Sequence, residues 1–131
     1  MVVDTSALVA VLLEEPLADQ IGRILLEAAP IMAAPSYLEA HMVLVKYFGP
    51  QTGEILGQKL SDFGIELVDF TPEMAVVAGR AFEAFGKGRH PANLNFGDCV
   101  SYALAKTTGR SLLFVGDDFF QTDIRSALSP P

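Results

Sequence analysis

The feature that most constrains this chain is a regular alternation between two hydrophobic periods. Short apolar runs at residues 1–4, 31–34, 65–70 and 111–115 are separated by stretches whose apolar side chains recur every three to four residues. The first pattern is that of a strand, the second that of an amphipathic helix. Strands joined through helices pair in parallel, because a parallel connection needs a long crossover. The chain is therefore expected to be an α/β domain: a central parallel sheet of four to five strands with helices on both faces. Its 131 residues suit one domain spanning 1–131, and with half of them hydrophobic a core can form without disulfides or structural metals. No internal repeat, linker or low-complexity stretch interrupts the pattern.

Punctuation residues place the elements. Ser6 is expected to cap a helix carrying Leu8, Val9, Leu12 and Leu13, and Pro16 to open a second with Ile21, Ile24 and Leu25 on one face. Pro35 closes the second strand. Ser36 is then expected to cap a helix carrying Leu38, Met42, Val45 and Phe48, which stops at Gly49-Pro50. A helix over 51–63 ends at Gly64, and 65–70 alternates apolar and acidic residues as an edge strand would. Thr71 and Pro72 start a helix that runs to about Phe85. Residues 86–95 form a polar loop, 96–107 a helix stopped by Gly109, and 111–115 a strand from which Gly116 turns away.

In an open parallel sheet, ligands bind outside the carboxyl ends of the strands, where strand order reverses. Acids from four stretches of the chain fall there. Asp4 closes the first strand, Glu39 lies one turn into the helix after the second, Asp98 stands near the start of the helix that feeds the last strand, and Asp117-Asp118 follows that strand. Each has a plainer role available: a helix cap for Asp4, a solvated position for Glu39, a first-turn acid facing the helix dipole for Asp98, and a polar turn for the pair. Their joint placement favours a site, because independent surface acids have no reason to gather at one sheet edge. Converging carboxylates repel and resist ionisation unless a cation lies between them. All-oxygen donors suit Mg²⁺, with Mn²⁺ as the alternative, and the two histidines, His41 and His90, have no zinc-ligand spacing. A hard metal held by carboxylates is the chemistry of phosphodiester hydrolysis.

The net charge of −7 argues against strong sequence-independent nucleic-acid binding, which draws on a basic surface. It permits an enzyme that reaches phosphates through a bound cation. Lys87, Arg89 and His90 make the only compact basic stretch, and phosphate contact is expected there. One cysteine, Cys99, excludes an internal disulfide and reads as a small core residue; Phe119 and Phe120 also read as core. The chain opens MVVDTS without a basic leader, and its apolar runs are too short to span a bilayer, so a cytoplasmic protein without membrane association is expected.

Four segments carry a family resemblance: MVVDTSALVAVL at the start, PSYLEA, KGRHPANLNFGDCVSYALAK, and LLFVGDDFFQTDI near the end. In order and over nearly the whole chain they resemble the motifs of PIN-domain ribonucleases of the VapC toxin type. The third segment is long and specific, whereas DTSA alone would be weak. The resemblance implies a Mg²⁺-dependent endoribonuclease, the toxin of a type II toxin–antitoxin system. It matches Asp4, Glu39, Asp98 and Asp118 to the family's catalytic acids, with the metal held mainly by Asp4 and Asp98 and with Asp117 in a supporting place. Thr5 and Ser6 are expected to hydrogen-bond the metal-holding carboxylates or a metal-bound water, and Asn95 to cap the Asp98 helix and orient that acid. A cognate antitoxin, a structured RNA substrate such as transfer RNA, and a homodimer built on the helices between Pro16 and Phe63 are implied as partners.

Two other functions fit a sheet edge rich in acids. A phosphoacceptor signalling domain would place a paired acid after the first strand and a lysine after the last; here Thr5-Ser6 follows Asp4 and Gly116-Asp117-Asp118 follows the last strand. A non-catalytic acidic module that binds a basic partner peptide is the stronger alternative, and metal-dependent cleavage separates the two.

Overall fold

The computed structural model describes residues 1–128. Four strands, β1 (Val2–Val3), β2 (Ile31–Ala33), β3 (Glu66–Val68) and β4 (Leu112–Leu113), form one wholly parallel sheet in the order β3-β2-β1-β4. Val2 pairs with Ile31 on one side and Leu112 on the other, and β3 is the edge strand that its alternating sequence implies. Around the sheet lie helices α1 (Thr5–Leu12), α2 (Ala18–Glu27), α3 (Ala34–Phe48), α4 (Thr52–Phe63), α5 (Pro72–Phe85) and α6 (Phe96–Thr108), with 3₁₀ turns at Gly49–Gln51 and Asp118–Gln121.

Two cores follow from the two-residue period of the strands. Val2, Ile31, Ala33, Leu112 and Phe114 pack with residues of α5 and α6, including Ala81, Val100 and Leu104. Val3, Met32 and Leu113 point the other way, onto Leu8, Ile21, Leu25, Leu44 and Leu56 from α1 to α4. Each such Val, Leu, Ile, Met or Phe side chain, once buried, contributes about 1.5–3 kcal/mol relative to exposure, so even two-residue strands are firmly held from both faces.

Three helix starts differ from the sequence expectation. Pro16 lies in the turn before α2, which begins at Ala18 with Leu17 as its cap. Asp4, not Ser6, caps α1: its backbone is extended and its side chain accepts the Ser6 N–H. α3 begins at Ala34, immediately after β2, and Pro35 sits in its first turn, where a missing N–H costs nothing. Ser36 is thereby carried inside the helix and buried. The order β3-β2-β1-β4 means that the chain proceeds from β1 in one direction and returns to β1's other side with β4, so the crevice of the fold opens at the carboxyl ends of β1 and β4.

Candidate active site

Asp4 stands at that crevice and is only 4% exposed. A buried carboxylate must be supplied with donors. Its Oδ2 accepts the Ser6 backbone N–H at 3.0 Å and the Ser6 hydroxyl at 2.6 Å, and its Oδ1 accepts the Ser101 hydroxyl at 2.5 Å. The Ser6 hydroxyl also accepts the Val115 N–H at 3.0 Å, so one serine clamps the acid and joins the ends of β1 and β4. Thr5 does otherwise than expected: its hydroxyl donates to the Ser36 carbonyl at 3.0 Å, tying α1 to α3 rather than contacting a site carboxylate.

Asp98 is the third residue of α6 and half-buried. Asn95 caps the helix by accepting the Asp98 N–H at 2.9 Å, and Asp98 Oδ2 accepts the Asn95 N–H at 3.1 Å, a reciprocal box that fixes the acid's orientation. Burial is the main cause that pushes the Asp98 carboxyl up to about 6; the Asn95 hydrogen bond opposes it, and the charges of Asp4, Asp118 and Glu39 raise it further. Acids from three other segments therefore act on Asp98 together. Asp118 opens the last 3₁₀ turn, and Asp117 precedes it with its backbone carbonyl accepting the Phe120 N–H at 3.2 Å; both side chains are exposed. Asp117 is not among the charges that act on Asp98.

Glu39, half-buried on α3, reaches across to the first turn of α6. A Cβ placed on Gly97 would lie 2.6 Å from Glu39 Cδ and no farther from either carboxylate oxygen. Gly97 thus makes room for the acid, a role the sequence reading missed. A signal was present: glycine in a helix costs about 0.5–1 kcal/mol relative to alanine, so its place beside Asp98 calls for a reason. Ser36 and Ser101, both fully buried, were also missed, because nothing local marks them.

The basic loop is divided. His90 is engaged in the fold: its Nδ1 accepts the Ala92 N–H at 3.0 Å and its ring meets Phe85 edge-on. The Arg89 guanidinium lies over Phe82, and Lys87 is exposed. Cys99 is buried, and burial together with Asp98 pushes its thiol up to about 11, so it is a packing residue rather than a nucleophile. Phe119 is buried as expected, whereas Phe120 is partly exposed and packs edge-on against Phe114.

The donor set fits a hard cation. It consists of carboxylate oxygens, and the hydroxyls of Ser6 and the buried Ser101 keep Asp4 oriented without adding a competing positive charge. Among the described residues no three His, Cys, Asp or Glu side chains stand close enough to grip one ion jointly. Mg²⁺ is commonly held by one or two carboxylates with water completing the shell, which is what Asp4 and Asp98 offer.

The PIN domain family model matches residues 1–125. The chain is 43% identical to Ribonuclease VapC30 of Mycobacterium tuberculosis over 131 residues, covering 99% of this chain and 100% of the relative. It is 44% identical to a Ribonuclease VapC of Mycolicibacterium smegmatis, covering 95% and 97%. In fold it is similar to the crystal structure of M. tuberculosis VapC20, a sarcin–ricin loop cleaving toxin, with a TM-score of 0.71 at 15% identity over 94% of this chain and 95% of that one. A toxin–antitoxin complex from Klebsiella pneumoniae gives a TM-score of 0.68 at 17% identity, covering 93% and 92%.

Proposed function

The chain belongs to the PIN-domain family, in its VapC type, and on that premise we propose that it is a Mg²⁺-dependent endoribonuclease, the toxin of a toxin–antitoxin pair. The observation that carries the reading is the gathering of acids from three other segments around Asp98, whose carboxyl rises to about 6 as a result of burial and, added to it, their charge. Such a cluster is costly to a fold, and a cation held there would give it a use by offsetting the charge an RNA phosphate meets.

Asp4 and Asp98 would hold Mg²⁺, or Mn²⁺ in its place. When bound, the ion polarises the phosphoryl oxygen and lowers the pKa of water, the Lewis-acid chemistry that phosphodiester hydrolysis needs. Ser6 and Ser101 hold the Asp4 carboxyl in place, and the Asn95 box does the same for the direction of Asp98. Glu39 and Asp118 are left to orient the attacking water and to take its proton. Lys87 and Arg89 contact RNA phosphates, and the substrate is a structured RNA such as a transfer RNA.

The same acids receive the antitoxin. An arginine from its tail suits them, since a planar guanidinium engages two carboxylates without losing its proton. The protein also works as a homodimer. Leu38, Met42 and Val45 recur along one side of α3 and are 57%, 66% and 43% exposed, and Phe96 across a neighbouring groove is 81% exposed. A continuous apolar strip of this kind is normally covered by a partner.

The test is cleavage of total transfer RNA with Mg²⁺, with EDTA, and by Asp4→Asn. Cleavage by the unaltered protein, abolished in the other two, supports the assignment. Cleavage that survives EDTA or the substitution refutes the metal mechanism, and an absence of cleavage leaves binding of a basic partner as the function of the acids.

A further inference from the structure

Beneath the carboxylates runs a second, deeper layer. Ser101 stands one turn after Asp98 on α6, and Ser36 one turn before Glu39 on α3. Both are buried more completely than the acids they accompany, at 0% and 1% exposure. Ser101 donates its single proton to Asp4 Oδ1 at 2.5 Å. A hydroxyl has one proton to give, so Ser36, whose Oγ lies 3.4 Å from that of Ser101, is the donor across this longer, weaker link. The Ser36 carbonyl in turn accepts the Thr5 hydroxyl. A chain of hydroxyls thus joins the three elements that bear Asp4, Glu39 and Asp98.

We propose that Ser101, backed by Ser36, is a positioning residue for metal binding: its hydroxyl fixes the rotation of the Asp4 carboxylate and compensates its charge without a cation. The inference rests on the metal reading given under Proposed function. Alternatives for a buried serine at this place are weaker. Ser101 does not bond back to its own helix, as Thr107 and Thr108 do to the Ala103 and Leu104 carbonyls, so its hydroxyl is not serving the helix backbone. Nor is it there to satisfy an orphan backbone group. The group it serves is a carboxylate with almost no solvent contact, and a short O–H···O⁻ bond is the strong, charge-assisted kind.

Groups that orient a metal-holding side chain are commonly worth 10–100-fold in metal affinity. The experiment is calorimetric titration of the full-length chain with MnCl₂, for the unaltered protein, Ser101→Ala and Ser101→Thr, together with metal-free thermal unfolding of each. The expected result is Mn²⁺ binding weakened about 10-fold or more in Ser101→Ala and restored towards the original value in Ser101→Thr, which keeps the hydroxyl. A Ser101→Ala protein that melts lower but binds Mn²⁺ as the unaltered chain does overturns the proposal, because Ser101 is then only structural. So does a Ser101→Thr protein as weak as Ser101→Ala, which would assign the effect to packing. An unaltered chain that takes up no Mn²⁺ overturns the metal reading itself, and the positioning role falls with it.

Discussion

Gly97→Ala should separate the fold of this protein from its chemistry. Gly97 has the backbone of an ordinary helical residue, and alanine is favoured over glycine in a helix by about 0.5–1 kcal/mol. On propensity alone the substitution stabilises. The new methyl, however, would sit 2.6 Å from Glu39 Cδ, where carbon atoms in contact normally keep about 3.5–4.0 Å. Glu39 must therefore withdraw by about 1 Å, and it can, because the obstructed atoms are the free end of a flexible side chain rather than backbone. The fold loses little; the site loses the position of one acid. A displacement of about 1 Å at a reacting group can cost about 100-fold in rate.

The expected result for Gly97→Ala is thus RNA cleavage slowed about 100-fold, with a melting temperature unchanged or raised by up to about 4 °C. Gly57→Ala in α4 is the control, since nothing lies within 4 Å of a Cβ there, and it should gain the same stability at full activity. Placing Gly97→Ala on a Glu39→Gln background should add little further loss, because both changes act through one carboxylate. Full activity in Gly97→Ala would refute the reasoning. A large fall in its melting temperature would refute the claim that Glu39 yields, and would make that acid part of the core.

Other expectations follow from the same geometry. Asp98 gives up its proton near 6 in the folded chain and near 3.8 when unfolded, so the folded state holds more protons between those values and metal-free stability should fall as pH rises through that window. Asp98→Asn should remove this fall, leaving a metal-free variant more stable than the original above pH 6 and equal to it near pH 4; denaturant melts showing parallel pH profiles would contradict it. Met42→Glu should place a charge in the α3 strip and give a species of about 14.1 kDa by light scattering, where the unaltered chain gives twice that mass; a monomeric unaltered chain would end the dimer proposal. Neutralisation by the antitoxin should weaken as Mg²⁺ or salt rises, and replacing the basic residues of the antitoxin tail should release cleavage. Inhibition indifferent to both would favour steric covering over an arginine among the acids.

β1, β2 and β4 were legible because each is buried on two faces and reads as a continuous apolar run, and β3 because its alternation of apolar and acidic residues marks an edge. Their lengths were not. β4 was expected over 111–115 and is Leu112–Leu113, because the partner strand ends where Asp4 turns into α1. The Asp4 N–H still pairs with the Leu113 carbonyl, but the Val115 N–H then goes to the Ser6 side chain. Asn95 could be read because its partner, Asp98, is three residues away and the capping pattern is local. Gly97, Ser36 and Ser101 could not, since their partners lie 58, 65 and 97 residues away and depend on how α3 and α6 meet. The setting of His90 was hidden in the same way: a basic residue in a polar loop looks free, and only the folded loop shows its ring against Phe85.

The choice of donors around Asp4 ties these observations together. A lysine or arginine could have kept a buried aspartate ionised, but it would compete for the carboxylate with any incoming cation. Serine hydroxyls and one backbone N–H satisfy its hydrogen bonds while leaving its charge uncancelled. Among the described residues the one ion pair, Lys106–Asp123, involves none of the four acids. Asp4 and Asp98 consequently have hydrogen-bond donors but no cation paired with them, and burial, with the charges of Asp4, Asp118 and Glu39 added, raises the Asp98 carboxyl. A fold that wanted only stability would have neutralised these groups. One that must accept a cation, whether a metal ion or the guanidinium of an antitoxin, has reason to leave them as they are.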